Sequence, residues 1–321
     1  MRLRALLLLP LLAFAAADAA AEPEFEVWLE GVRAEALANG VRRETVEAAL
    51  TELAPIPRVI ELDRRQPEGV LSYDQYMTRV IPDSRVQRGR ELLAQYRPLL
   101  EAVASRYGVP APYMVALWGI ETGFGRHTGG FSVIAALATL AHDGRRSDFF
   151  RKELMNALRI LDEGHIALDD MIGSWAGAMG QCQFMPSSFV DFAVDHDGDG
   201  HKDIWSTQAD VFASTANYLA NSGWQADQDW GFEVRIPDGL DPALVGTGVM
   251  KGLVEWQALG VRRYDGSDLP NHGADAQLIM PEDMAGPAFL VHDNFETILK
   301  WNRSTFFALA VGQLADRIGA D

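Results

Sequence analysis

An α+β fold dominated by helix is what this sequence predicts, and three observations predict it. Apolar residues recur at helical spacing through residues 24–107 and again over 112–121. From Gly223 to about residue 292 the pattern shifts to short apolar runs broken by Pro and Gly, which read as strands. The chain then closes on a helical stretch from about Arg303 to Ile318. With 321 residues, 48% hydrophobic and 23% charged, the composition is that of a globular protein with one large domain or two to three compact ones.

The first 21 residues are a separate matter. Arg2 and Arg4 precede an unbroken apolar stretch, Ala5 to Ala17, followed by small residues around Ala19-Ala20-Ala21. This is the pattern of a secretory signal peptide cleaved near Ala21, too short to span a bilayer. No Cys lies at that position to carry a lipid anchor, so the sequence predicts an exported, periplasmic protein without a membrane anchor. In the mature chain Phe25, Leu29 and Val32 keep helical spacing, Gly40 stops that helix, and a second follows around 43–53. Pro55 and Pro57 break the pattern. A longer helix from about Ser84 to Tyr107 carries Leu92, Leu93, Tyr96, Leu99, Leu100 and Val103, with a kink expected at Pro98. Residues 108–222 form a motif-rich centre. In the following region, Phe232 to Ile236 and Ala288 to Val291 read as strands, and a short helix is expected over roughly 251–258.

Composition excludes several function classes. A net charge of −17 argues against a general nucleic-acid binder, which needs clustered Lys and Arg. Loss of Arg2, Arg4 and Asp18 with the signal peptide makes the balance one unit more negative. The single cysteine rules out an internal disulfide framework and any Cys-rich metal centre. There is no His-x-x-x-His pair, no nucleophile elbow and no phosphate-binding Gly-Lys loop.

One carboxylate is unusual in its setting. Pro110 and Pro112 open a helix that Thr122-Gly-Phe-Gly125 ends. Met114, Leu117, Trp118 and Glu121 share one face of it, so Glu121 is the only acid on an apolar stripe. Desolvation raises the pKa of such a group, and a carboxylic acid still protonated near neutral pH is what general acid catalysis requires. The alternative is a Glu bonded to a helix end or an Arg. Further on, Gly173 to Ser188 combines closely spaced small residues with Ser174, Gln181 and Gln183, neutral hydrogen-bonding groups suited to an uncharged polymer such as a glycan. Between them the loop His142 to Arg146 carries two adjacent positive charges.

Taken in order, these segments become specific. Glu121-Thr-Gly-Phe-Gly125, Gly144-Arg-Arg146, Gly173 to Gly180 with Gln183-Phe-Met-Pro-Ser-Ser188, Asp199-Gly-His201, Asn217-Tyr218 and Asn302-Arg-Ser-Thr305 resemble the lytic murein transglycosylase B family over most of the mature chain. The resemblance implies a lysozyme-like core at 108–222, a flanking helical domain at 22–107 completed by the 303–318 helix, and a small β-rich domain at 223–302. It implies cleavage of the MurNAc–GlcNAc bond of peptidoglycan without water, leaving a 1,6-anhydromuramoyl end. Glu121 is then the catalytic residue. Arg145, Arg146, Ser174, Gln183, Tyr218, Asn302 and, on a weaker local motif, Tyr76 fall on substrate-groove positions. The arginines suit the carboxylates of peptide stems. Two alternatives stay open: a hydrolytic muramidase of the same fold, and a non-catalytic, calcium-dependent wall-binding protein. Two departures also stand out. Trp301 and Phe306-Phe307 occupy positions where tyrosines are expected, keeping aromatic surface but losing hydroxyl hydrogen bonds. Cys182 interrupts an otherwise matching segment as a small, buried thiol.

Asp195-His-Asp-Gly-Asp-Gly-His-Lys-Asp203 repeats the front half of an EF-hand loop, with acids at positions 1, 3, 5 and 9 and Gly200 at position 6. The bidentate Glu of position 12 is replaced by Ser206. The expected ligands of a structural Ca²⁺ are Asp195, Asp197, Asp199, the carbonyl of His201 and, as the resemblance implies, Asp210.

Overall fold

The structure, a computed structural model, describes residues 24–65, 71–246, 248–270, 273–282, 284 and 286–320. The expected signal peptide lies outside the described residues. Seven helices come first: α1 (Phe25–Ala38), α2 (Arg43–Leu50), α3 (Pro57–Arg64), α4 (Tyr73–Val80), α5 (Asp83–Gln95), α6 (Arg97–Tyr107) and α7 (Ala111–Thr122). Strand β1 (Phe131–Ser132), α8 (Val133–His142), α9 (Ser147–Asp162), β2 (Ile172–Gly173), α10 (Pro186–Phe192) and α11 (Gln208–Asn221) form the centre. The β-rich part contains β3 (Gly231–Arg235), β4 (Met250–Gly252), α12 (Leu253–Ala258), β5 (Arg262–Arg263), β6 (Asp275–Ile279) and β7 (Ala288–Val291). Helices α13 (Asp293–Trp301) and α14 (Thr305–Gly319) close the chain.

Local chemistry accounts for most boundaries. Ser72 and Gln75 form a reciprocal capping box at the start of α4. Gly108 ends α6 in a left-handed conformation, and Ser304 caps α14 by accepting from the Phe307 N–H. The long helix expected over 84–107 is two helices that break at Tyr96. Pro98 lacks the N–H that would continue the ladder, and it sits instead in the first turn of α6, where none is needed. Helix α13 was not expected in the strand-rich stretch, although Asp293 and Glu296 in its first turn and Lys300 in its last suit the helix dipole.

Helix α7 corrects the reading of a single apolar stripe. Tyr113, Met114, Val115, Ala116, Leu117, Trp118 and Gly119 are all buried, so the helix is enclosed on every side, by α5, α6, α11 and α14. One continuous apolar core joins α1–α6, the centre and α14. The five-stranded antiparallel sheet, order β4-β6-β7-β3-β5, separates that core from a second one. On β7, Phe289 and Val291 face the first core while Ala288 and Leu290 face the second, with Trp256 and Leu253. A strand buried on both faces reads as an unbroken apolar run. Gly312 lets α14 seat against the Trp230 ring, where a Cβ would lie 2.3 Å from the nearest ring atom. No helix among the described residues is long and apolar enough to cross a membrane.

Candidate active site

Glu121 lies in the last turn of α7, and the residues after it turn the chain sharply away. Gly123, Phe124 and Gly125 take φ values of 59°, 63° and 79°. A left-handed Phe costs about 1–2 kcal/mol. Burial of its ring, worth about 2 kcal/mol, offsets that: Phe124 packs edge-on to Trp118 at 5.5 Å and covers Gly119, where a Cβ would come within 2.7 Å of the ring. Thr122 locks the corner by donating to the carbonyls of Trp118 and Gln181 and accepting from the Gly125 N–H.

The Glu121 carboxyl is half-buried, and its Oε1 accepts one hydrogen bond, from Trp301 Nε1 at 2.8 Å. Desolvation by burial outweighs that bond and pushes its pKa up to about 7. Among the described residues it has no ion-pair partner, and no neighbouring acid contributes to the shift. The group can therefore hold a proton at neutral pH and, once it has given the proton up, take one back.

The structure brings Trp301 and Tyr76 toward this carboxyl, and Tyr218 adjoins it through Trp301. Tyr76 lies within electrostatic range of Glu121 and packs on Phe306 at 5.5 Å. Trp301 packs on Tyr218 at 4.8 Å and Phe184 at 5.3 Å, and the Tyr218 hydroxyl donates to the Lys300 carbonyl at 2.7 Å. Asn302, next to Trp301, is exposed and accepts from the Ser304 N–H. Trp301 corrects the expectation that losing a tyrosine there loses a hydrogen bond, because the indole N–H supplies one.

The Gly173–Ser188 segment folds back on itself. A Cβ on Gly173 would lie 2.2 Å from the Ala178 carbonyl oxygen, and one on Gly180 would lie 2.7 Å from that of Ile204, so the small residues admit backbone. Ser174 accepts from the Ala178 N–H, and Gln183, at φ 52°, donates to the carbonyls of Thr128 and Gly180. Gln181 is buried and is a bracket, not a groove donor: it accepts from Trp118 Nε1 at 2.7 Å and donates to the Trp205 carbonyl. Cys182 is buried, donates to the Val211 carbonyl, and burial pushes its thiol up to about 12. Arg145 and Arg146 are held elsewhere, on Asp63. That buried carboxylate receives Arg145 Nε at 2.9 Å and Arg146 Nη2 at 2.6 Å. The sequence gives no cue to Asp63, which lies on α3, far from both arginines in the chain.

In the acidic loop, Asp195, Asp197 and Asp210 each present a carboxylate oxygen within 4.8 Å of the others. Asp199 is not in that set, and its carboxylate accepts from the His201 N–H at 2.8 Å. The His201 ring contacts the Gly164 carbonyl. Asp203 turns away and caps the following turn through Trp205 and Ser206. Asp210 is 1% exposed and accepts the N–H groups of His196 and Asp203, each at 2.7 Å, but no cationic side chain among the described residues pairs with it. A buried carboxylate facing two others is the donor set of a hard, oxygen-seeking cation such as Ca²⁺.

Comparison with known proteins identifies the family and the fold. Residues 24–316 match the family described as the transglycosylase SLT domain. The chain is 32% identical over 298 residues to the membrane-bound lytic murein transglycosylase B of Escherichia coli K12, covering 87% of this chain and 79% of that protein. The crystal structure of SltB3 from Pseudomonas aeruginosa with NAG-anhNAM-pentapeptide superposes with a TM-score of 0.88 at 47% identity, over 91% of this chain and 78% of that one. The E. coli lytic transglycosylase Slt35 in complex with calcium superposes with a TM-score of 0.76 at 30% identity, over 94% of each chain.

Proposed function

This chain belongs to the transglycosylase SLT domain family and is a lytic murein transglycosylase, and from that premise we propose that Glu121 alone serves as its general acid and then its general base. The observation that carries this reading is the Glu121 carboxyl itself: half-buried, raised to about 7, and with no second acid among the described residues contributing to that shift. Ordinary glycosidases flank the scissile bond with two carboxylates. One suffices when the substrate supplies its own nucleophile. The protonated carboxyl gives its proton to the oxygen leaving C1 of the muramic sugar. The resulting carboxylate then takes the proton of the C6 hydroxyl as that oxygen bonds to C1. One C–O bond breaks, another forms, the proton returns to Glu121, and no water is consumed. The N-acetyl group of the muramic sugar stabilises C1 in place of a second acid.

Tyr76, Tyr218 and Trp301 offer aromatic faces for the sugar rings, and Ser174, Gln183 and Asn302 are the neutral polar groups that the family resemblance assigns to the substrate groove. The pentapeptide glycan bound by SltB3 supports a peptide-bearing strand as the substrate class. Arg145 and Arg146 are about half-exposed, and their pairing with Asp63 makes them a poor site for stem carboxylates. Asp195, Asp197 and Asp210, with the carbonyl of His201, would hold one Ca²⁺, which ties the loop to the start of α11; the calcium complex of Slt35 supports the choice of ion. The substrate lies outside the cytoplasm, which supports residues 1–21 as an export signal and the periplasm as the site of action. The two apolar cores support a β-rich unit within 223–302 set against a larger helical body.

Mass spectrometry of the products from purified sacculi tests the mechanism. The wild type releases fragments lighter by one water than hydrolysis products, and Glu121→Gln releases them about 10²–10⁴-fold more slowly. Products carrying the extra water would make the enzyme a muramidase, and a fully active Glu121→Gln would remove Glu121 from the mechanism.

A further inference from the structure

The only hydrogen bond to the Glu121 carboxyl among the described residues comes from an indole, and an indole N–H donates but never accepts. A carboxylic acid has one carbonyl oxygen and one hydroxyl oxygen. The carbonyl oxygen is the better acceptor, so the N–H selects it in the acid form. In the carboxylate form the same N–H still bonds the oxygen nearest to it. We propose that Trp301 is a positioning residue that divides the two oxygens of Glu121 between separate tasks. Oε1 is a fixed acceptor in both protonation states, and Oε2 is the oxygen that delivers the proton and later recovers it. The proposal rests on the reading of Glu121 as acid and base, and it adds which oxygen works and what fixes it.

The packing supports a fixed donor. Trp301 is the last residue of α13, and its ring lies against Phe184 at 5.3 Å and Tyr218 at 4.8 Å, so it cannot swing without opening both contacts. Its neighbour Lys300 is tied through its carbonyl to the Tyr218 hydroxyl. A phenol at this position would accept as readily as donate and would leave the two oxygens interchangeable. The proton balance is closed by one atom: the Oε2–H proton goes to the leaving oxygen, and the C6 hydroxyl proton comes back to Oε2. Trp301 transfers nothing.

The other titratable groups near the carboxyl do not perform this task. Tyr76 on α4 lies within electrostatic range of it, with Arg85 on α5 near that phenol and Arg126, beyond α7, near Arg85. The Cys182 thiol, ahead of α10, lies within electrostatic range of Glu121 and bonds Val211 and Thr215. The Arg126 side chain donates to the Gly123 carbonyl, and that of Arg85 donates to the Val80 carbonyl.

Two measurements test the assignment. In ¹H–¹⁵N spectra of the intact protein, one indole N–H signal should move with pH around a midpoint of about 7 and stop moving in Glu121→Gln. In steady-state assays on a soluble glycan oligomer, Trp301→Phe keeps the aromatic surface and removes the donor. It should lower kcat roughly tenfold, with KM little changed, because the proton-bearing oxygen is no longer held in line. It should also move the alkaline limb of kcat to higher pH, since the bond it removes favours the carboxylate. Trp301→Tyr, whose phenol donates but can also accept, should recover only part of kcat. An indole set that shows no titration near 7, or a Trp301→Phe enzyme with wild-type kcat and pH limb, overturns the proposal. Should Trp301→Phe fail to fold, the indole titration decides alone. An active Glu121→Gln would instead overturn the catalytic reading, a result the indole titration does not depend on.

Discussion

At the end of α7, Glu121 accepts one hydrogen bond and burial pushes it up to about 7, whereas in the acidic loop Asp195 accepts the N–H groups of Gly198 and Gly200 and stays below the usual carboxylate range. Desolvation acts upward on both groups, and the outcome turns on how many donors the backbone delivers. A glycine-rich turn points several N–H groups inward. The last turn of a helix presents carbonyls and offers a carboxylate none. Glu121 and Asp195 thus shift in opposite directions, while Asp210, in the same loop and also holding two N–H donors, is raised by burial and by Asp195 and Asp197. Backbone donors, burial and neighbouring acids together set the direction in which each carboxyl shifts.

The largest effect that would break this comparison is on turnover. Glu121→Gln should cost about 10²–10⁴ in rate on sacculi, while Asp195→Asn, assayed beside it, should leave the rate of glycan release unchanged. Equal losses in the two variants would mean the loop belongs to the catalytic machinery. The next effect is on stability. The folded pKa of Glu121 lies above the unfolded value near 4.5, so between pH 4.5 and 7 the native state holds a proton that the unfolded chain has lost. Its contribution therefore falls as pH rises through that window. By pH 8 the cost is about 2–3 kcal/mol, allowing for residual solvent contact. Urea titrations should show Glu121→Gln more stable than the wild type by that amount at pH 8 and equal to it near pH 4. Asp210→Ala should do the reverse in chelator, losing about 2 kcal/mol at neutral pH because the His196 and Asp203 N–H groups lose their acceptor.

What the sequence made legible follows the same division between local and distant chemistry. The Glu121 corner and the Asp195 loop are written in consecutive residues, where Pro, Gly and spacing carry the signal, and both could be read. The partners that decide how these groups behave are distant in the chain. Trp301 reaches Glu121 across 180 positions, and nothing local to either residue announces that bond. Asp63 on α3 pairs with Arg145 and Arg146 in the loop before α9, a partner that nothing in the paired motif announces. Gln181 looked like a groove donor because polarity is visible in sequence and burial is not. The missed helix α13 is a different case. Its charges suit a helix, but it follows directly on β7, and the surrounding strand pattern masked it.

The smallest effect is also the sharpest on the loop. Extracellular calcium modules bind at about 10⁻⁴–10⁻³ M, so 1 mM Ca²⁺ should stabilise the wild type by about 0.4–1.4 kcal/mol. In a chain of this size that raises Tm by about 1–3 °C over the chelated protein. Scanning calorimetry should find the same rise in Glu121→Gln, because Glu121 is not among the loop's three convergent carboxylates. It should find none in Asp210→Ala, which removes the buried member of the set. A rise that survives the loss of Asp210 would place the ion elsewhere. A rise that disappears with Glu121 would join the two sites that the backbone otherwise keeps apart.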